Sequence, residues 1–430
     1  MTDAPEAPPP VTPPVAEAAL DAHGSNPWRL RDFRLLWVGR LTAVLAIQIQ
    51  STALVWQVLE IARRDHPIEQ ASLYAGMVGL VQFIPLLLLT LPAGEMADRR
   101  NRKLTVAACI GGELVCAAAF LSLALIGHPP LWALLAVAAL FGACRAFLAP
   151  ASQALLPMVV GMKALPRAIV AQSLAFQTGA IAGPTVGGLL LAVSTPFAYG
   201  ASLVLFLTGL TCFLLIRTDG RPRLRAVQSR WAAVKEGLAY VWTTKVVIGA
   251  ISLDLVVVML AGVALLVPVF AAGVLDVGPQ GFGFLRAAFG AGALAMALYL
   301  ARFPILRHGG TWMFAAVAVF GVCTLVFGLS KIVWLSAVML FIGGAADMIS
   351  VNIRQTLIQI ATPDEMRGRV SSVSMLFIGA SNELGEAYSG VMVRILGPIG
   401  AAVFGGIGAL VATGVWARAF PGLRKADRLA

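Results

Sequence analysis

FIGGAADMISVNIRQTLIQIATPDEMRGRVSSVSMLFIGASNELGEAYSG, residues 341–390, reads as two membrane helices joined by a charged hairpin. Both flanks are apolar enough for a bilayer, yet they carry Asp347, Asn352, Arg354, Glu383 and Glu386. The hairpin is Thr362-Pro363-Asp364-Glu365-Met366-Arg367-Gly368-Arg369. Charges inside such helices are costly and tend to mark the paths of ions or substrates. A constant offset lays the stretch, without a gap, on residues 139–188. Gly344 falls on Gly142, Gln355 on Gln153, Leu357 on Leu155, Arg369 on Arg167, Gly385 on Gly183 and Gly390 on Gly188. Just upstream, Trp334 falls on Trp132. One pairing reverses sign, because Asp347 falls on Arg145. An internal repeat of membrane helices predicts two related halves, the plan of many secondary transporters.

Composition points the same way. Of the 430 residues, 59% are hydrophobic and 12% charged, where soluble domains carry roughly 45–50% and 25%. Twelve apolar segments between residues 33 and 418 each approach the ~20 residues that cross the hydrocarbon core. The fold class is therefore all-α and integral to the membrane, with twelve spans in two pseudo-symmetric halves of six. The net charge of +11 does not call for nucleic acid. With the N-terminus placed inside, the inner segments hold 24 Lys and Arg and the outer loops only Arg63, Arg64 and Lys331. Positive charge is retained on the cytoplasmic side, so both termini are expected in the cytoplasm and the chain in the cytoplasmic membrane. The five cysteines lie scattered in apolar runs and suggest neither disulfides nor a metal framework.

The expected organisation follows from these segments. Residues 1–27, rich in Pro and Ala, form a disordered cytoplasmic tail, with no basic n-region of a signal peptide. Residues 28–216 form the N-terminal half and 246–418 the C-terminal half. Between them, 217–245 is a cytoplasmic linker. It begins with Arg217, Arg221, Arg223 and Arg225, then predicts an amphipathic helix with Trp231, Val234, Leu238 and Val241 on one face, suited to an anionic lipid surface. Residues 419–430 form a second cytoplasmic tail.

Three local patterns carry more detail. Gly94-Glu95-Met96-Ala97-Asp98-Arg99-Arg100-Asn101-Arg102-Lys103 follows the second segment. Gly94 permits close helix approach, Asp98 can face a helix N-terminus, and Arg99, Arg102 and Lys103 hold the turn inside. In the fifth segment, Gly179, Gly183, Gly187 and Gly188 make a smooth packing face, with Pro184 able to kink it. Arg145 in the fourth segment lies about 21 Å from its outer end at ~1.5 Å per residue. That is too deep for easy snorkelling outward, and Glu113 in the third segment is a candidate partner.

These patterns resemble motifs of the major facilitator superfamily. The first resembles its motif A, with Asn101 in place of the second Gly, a residue that also tolerates the left-handed conformation. The second resembles motif C, which in that family implies proton-driven export. Arg145 resembles the buried Arg of motif B, although Phe147, Leu148 and Ala149 replace the usual Gln-Gly continuation. The runs ADMISVNIR (346–354), ATPDEMRGRVSSV (361–373) and WARAFPGLRKADRL (416–429) are similar to the enterobactin-exporter-like branch, and the resemblance covers residues 30–430.

What the resemblance implies is a secondary transporter, not an enzyme, that exports a small organic molecule of siderophore or drug-like type against protons. Its expected partners are that substrate, protons and membrane lipid, with no cofactor or nucleic acid, and the protein is expected to be a monomer. An uptake permease and a non-transporting sensor of the same fold are the alternatives. No Gly-Lys pair occurs, so a Walker A loop of an ATP-driven pump is excluded. Candidate coupling or substrate residues are Glu113, Arg145, Asp254, Asp347, Arg354, Glu383 and Glu386. Asp347 and Arg354 are seven apart, hence on one helix face, and Arg354 and Asp254 lie near inner helix ends. Carboxylates buried in low dielectric can exchange protons near neutrality. The first segment offers Gln48, Gln50 and Gln57 where many drug–proton antiporters of the superfamily carry Asp.

Overall fold

The computed structural model describes residues 26–221, 230–305, 307–363 and 366–424. Most of both tails, residues 222–229, and Asp364 and Glu365 of the hairpin lie outside the described residues. Helices α1 (Arg31–Asp65), α2 (Ile68–Arg99) and α3 (Arg102–Ile126) lead into one run, Leu131–Val193. That run turns at Gly161, whose φ of 71° and ψ of 172° leave the helical region, so α4 spans 131–160 and α5 spans 162–193. After α6 (Thr195–Leu215) and a linker helix (Arg230–Thr243) comes α7 (Lys245–Val274). Then follow α8 (Gly278–Arg302), α9 (Gly309–Leu329) and α10 (Val333–Ile360). The final run, Arg367–Ala419, turns at Gly397, with Pro398 behind it, and gives α11 (367–396) and α12 (398–419). Among the described residues, eleven helical runs are long and apolar enough to span. The turn at Gly397 makes the passes twelve, as the sequence predicts.

One span departs from expectation. The sequence reads 246–272 as continuous, but α7 breaks at Gly262, in the left-handed region with φ of 47°. A Cβ there would fall within bonding distance of the Ser389 hydroxyl of α11, so the glycine permits both the turn and the approach of α11. Beyond it run Val263–Val269 and a wider π-type turn, Phe270–Val274.

Helices α1–α6 form one bundle and α7–α12 the other, joined chiefly where α2 runs along α11 and α5 along α8. Without a hydrophobic drive between helices in lipid, such contacts depend on close packing of small residues. Gly76 of α2 meets Gly390 of α11, and Gly283 of α8 meets Gly188 of α5. A Cβ at Gly283 would lie 2.3 Å from the Gly188 carbonyl oxygen. Gly390 and Gly188 are the repeat pair found in the sequence, so the repeat reappears as two equivalent contacts across a pseudo-two-fold axis. It also extends further. Gly142 of α4 packs on the Gln82 carbonyl of α2, and its repeat mate Gly344 of α10 packs on the Phe289 carbonyl of α8.

Apolar packing ties the halves at the end bearing Asp65. There Trp56 stacks on Phe282 with centroids 4.9 Å apart, and Ile68 fills the notch at Gly273. Large exposed side chains such as Leu125, Val193 and Leu298 are apolar, as faces meeting lipid must be. Trp132 and Trp334, the repeat-related pair, stand exposed at equivalent helix starts.

The linker touches both halves. At its start, Asp32 of α1 accepts hydrogen bonds from the Thr218 amide at 2.8 Å and the Thr218 hydroxyl at 2.6 Å. At its end, Val241 is buried and Leu238 half-buried in a core with α7 and α10 residues, and the Tyr240 hydroxyl donates to the Ala361 carbonyl. The described part of the predicted amphipathic face thus packs on the C-terminal half rather than on lipid. The side chains of Trp231 and Val234 lie outside the described residues.

The topology has a direct check. Single cysteines placed at Asp65 and Asn101, at opposite ends of α2, are expected to label from opposite sides of the membrane. Labelling of both from outside would contradict the twelve-pass arrangement.

Candidate functional site

The polar seam between the halves is made by glycines. Gly79 of α2 takes the α11 backbone so closely that a Cβ would sit 2.4 Å from the Glu383 carbonyl oxygen. Gly142 brings α4 against the same stretch of α2, where a Cβ would lie 2.3 Å from the Gln82 carbonyl oxygen. Arg145 stands one turn beyond Gly142 and therefore points the same way. Its Nη1 donates to Glu383 Oε1 at 2.8 Å and to Gln82 Oε1 at 3.0 Å. The Phe141 ring lies 5.7 Å from the guanidinium carbon. The ion pair is mostly buried, the two side chains being 22% and 13% exposed, and it joins α4 of one half to α11 of the other.

Arg145 therefore pairs across the molecule and not with Glu113, the partner suggested by sequence. Glu113 is fully buried in α3, and neither of its oxygens has a hydrogen-bond partner among the described residues. A bare buried carboxylate is costly, and Arg145 lies within electrostatic reach of it without pairing to it. Further along the seam, Glu386 of α11 lies within electrostatic reach of Arg286 of α8. Gln177 of α5 donates to Gln355 of α10 at 3.0 Å, another contact between halves.

A second charged group lies inside the C-terminal half. Arg354 of α10 is buried and ion-paired with Asp254 of α7, so it does not meet water at an inner helix end. Asp347 lines the same cavity of about 30 Å³, between α7, α9 and α10. The repeat mates Arg145 and Asp347 thus face different places, one the seam and the other the interior of its own half.

The motif residues are distributed as follows. Gly179, Gly183 and Gly187 pack on α1 at Val44, Gln48 and Ile49, while Gly188 reaches α8. Pro184 lies within α5. Gly94, Asp98 and Arg99 lie in the last turns of α2, but their side chains are outside the described residues. Arg102 Nη1 donates to the Ala154 carbonyl of α4 at 3.0 Å, and Lys103 donates to the Ile216 carbonyl at the end of α6, where a cation complements the helix dipole. Asn101 is extended, with φ of −62°, and caps α3 by accepting from the Leu104 amide. The left-handed conformation that Asn tolerates is not used here. Of the α1 glutamines, Gln57 accepts from Tyr199, Gln48 fills the notch at Gly183, and Gln50 is buried with no hydrogen-bond partner among the described residues.

Sequence reasoning missed Gln82, Gly76, Gly79 and Gly283. Glycines three apart in the second segment were the available signal for the first helix contact. Gln82 carried none, because its partners come from α4 and α11.

A family model described as transmembrane secretion effector matches residues 22–428. The enterobactin exporter EntS of Escherichia coli O1:K1 / APEC is 27% identical over 387 residues, covering 88% of this chain and 86% of that protein. The enterobactin exporter EntS of Shigella dysenteriae serotype 1 is 26% identical over 386 residues, with the same coverage. Among solved structures, a bacterial homolog of the human lysosomal transporter Spinster, inward-facing and unoccupied, aligns with a TM-score of 0.67 at 14% identity, over 92% of this chain and 96% of that one. A bacterial homologue of the iron transporter ferroportin, also inward-facing, aligns at 0.63 and 17% identity, over 90% and 98%.

Proposed function

Since the chain belongs to the transmembrane secretion effector family of the major facilitator superfamily, we propose that its two halves rock about the Arg145–Glu383 seam to export a siderophore-like molecule against protons. It is a secondary transporter that exports a small molecule, as its enterobactin-exporter relatives are named. The observation that carries the seam into the mechanism is the Arg145–Glu383 pair, shared between α4 and α11. A buried pair held by one helix from each half favours one arrangement of the halves, and alternating access requires such contacts to exchange. The exporter relatives support a siderophore as substrate. The distribution of Lys and Arg supports the cytoplasmic membrane with both termini inside. Protons supply the driving force through a buried carboxylate, Glu113, Asp347 and Glu386 being the candidates named from sequence, because only a group whose protonation differs between states couples a gradient to movement.

Inverted membrane vesicles test this reading. Enterobactin, with a small panel of other siderophores and drugs, is expected to accumulate inside when the interior is made acid, and to leak out when a protonophore is added. Accumulation only with ATP, or movement only in the opposite sense, would contradict export by proton exchange.

A further inference from the structure

We propose that the coupling proton binds at Asp347, in the cavity inside the C-terminal half, and not in the seam between the halves. This rests on the proton-driven reading above and gives it a place. In the seam two guanidinium groups, those of Arg145 and Arg286, face Glu383 and Glu386. In the cavity two carboxylates share one. Arg354 is ion-paired with Asp254, and Asp347 makes no hydrogen bond or ion pair among the described residues. The α9 wall brings Met313, Val317 and Phe320 and no charged group. The titratable and charged groups around the cavity are therefore Asp254 from α7, and Asp347 and Arg354 from α10. Two carboxylates against one guanidinium leave one negative charge in apolar surroundings, and a single proton removes it.

Geometry allows the exchange. Asp347 and Arg354 are two turns apart on one face of α10, so the guanidinium can turn from Asp254 to Asp347. A proton would then sit on whichever carboxylate Arg354 has left. The change is carried to the seam through packing. Asp254 lies about two turns from the α7 break at Gly262, where α7 closes on Ser389 of α11. Gly385 of the same helix also packs on the Val258 carbonyl. Helix α11 carries Glu383, so a shift of α7 against α11 moves one arm of the inter-half ion pair.

The test uses the full chain in liposomes and two readouts. One is the infrared band of a protonated carboxyl group as pH is raised through neutrality. The other compares enterobactin exchange without a gradient with export driven by one. In Asp347→Asn, Arg354 keeps Asp254, so the helix packing is expected to survive. The titrating carboxyl band is expected to vanish, and gradient-driven export to fall about tenfold while exchange persists, the size of an ordinary coupling between sites. Asp254→Asn releases Arg354 to Asp347 and is expected to remove the band as well, which gives a second reading should Asp347→Asn fold poorly. Glu386→Gln is expected to keep the band. Loss of the band in Glu386→Gln, or its persistence in both aspartate variants, overturns the assignment. A wild-type protein that moves no panel compound under a gradient contradicts the export reading instead, and the band still decides where the proton sits.

Discussion

Arg145→Gln is expected to reduce export tenfold or more, and Glu383→Gln to do the same. The pair is mostly buried and tied to Gln82 as well. Removing one partner of a buried pair leaves the other charge uncompensated, which costs about 3–5 kcal/mol when burial is complete. The residual exposure of both side chains reduces this to roughly 1–3 kcal/mol. Because the charges come from different halves, the penalty falls on the arrangement of halves that holds the pair and shifts the balance between conformations by that amount. Arg145→Gln/Glu383→Gln, with neither charge left unpaired, is expected to recover part of the loss, so the double-mutant cycle is strongly non-additive. Transport in proteoliposomes, with the accessibility of a cysteine on each side, reads both effects. Additive losses would mean that the two residues act separately.

Gly283→Val is expected to be as damaging, for a steric reason. A Cβ at Gly283 would lie 2.3 Å from the Gly188 carbonyl oxygen, and backbone on both sides cannot yield as a flexible side chain does. Overpacking of this kind typically costs 1–3 kcal/mol or more, roughly, and here it parts α5 from α8 at the junction of the halves. Gradient-driven export is expected to disappear and the thermal transition to fall by several degrees. Gly200→Ala, where nothing lies within 4 Å of the new Cβ, is the comparison and is expected to behave as wild type. A functional Gly283→Val variant would mean that the junction opens more widely than the structure describes.

The fold was legible in the sequence because its signals are local and repeated. Apolar length marked the spans, and the constant offset between residues 139–188 and 341–390 marked the two halves. Its glycines recur as matched contacts, Gly188 on Gly283 and Gly390 on Gly76. The break at Gly262 was less legible, because a lone glycine in an apolar run does not announce that Ser389 of another helix will approach it. Asn101 was legible as a turn residue, but its role as the N-cap of α3 was not, because the Gly it replaces in the motif has no side chain to cap with. The partner of Arg145 was illegible for a plainer reason. Glu383 stands 238 residues away in the other half, and only the packing of Gly79 and Gly142 on α2 brings the two together. Asp347 shared a helix face with Arg354 in sequence, but that spacing could not reveal that Asp254 had already taken the guanidinium.

Reciprocal movement on the two sides of the Arg145–Glu383 pair is the most direct measure of rocking halves. One spin-label pair replaces Gln177 and Gln355, whose side chains meet across the seam. A second pair replaces Trp56 and Phe282, which stack at the end bearing Asp65. When the pH is shifted, and again when enterobactin is added, the two distances are expected to change in opposite senses, one lengthening as the other shortens. Distances that stay fixed, or that lengthen together, would contradict alternating access about the Arg145–Glu383 seam.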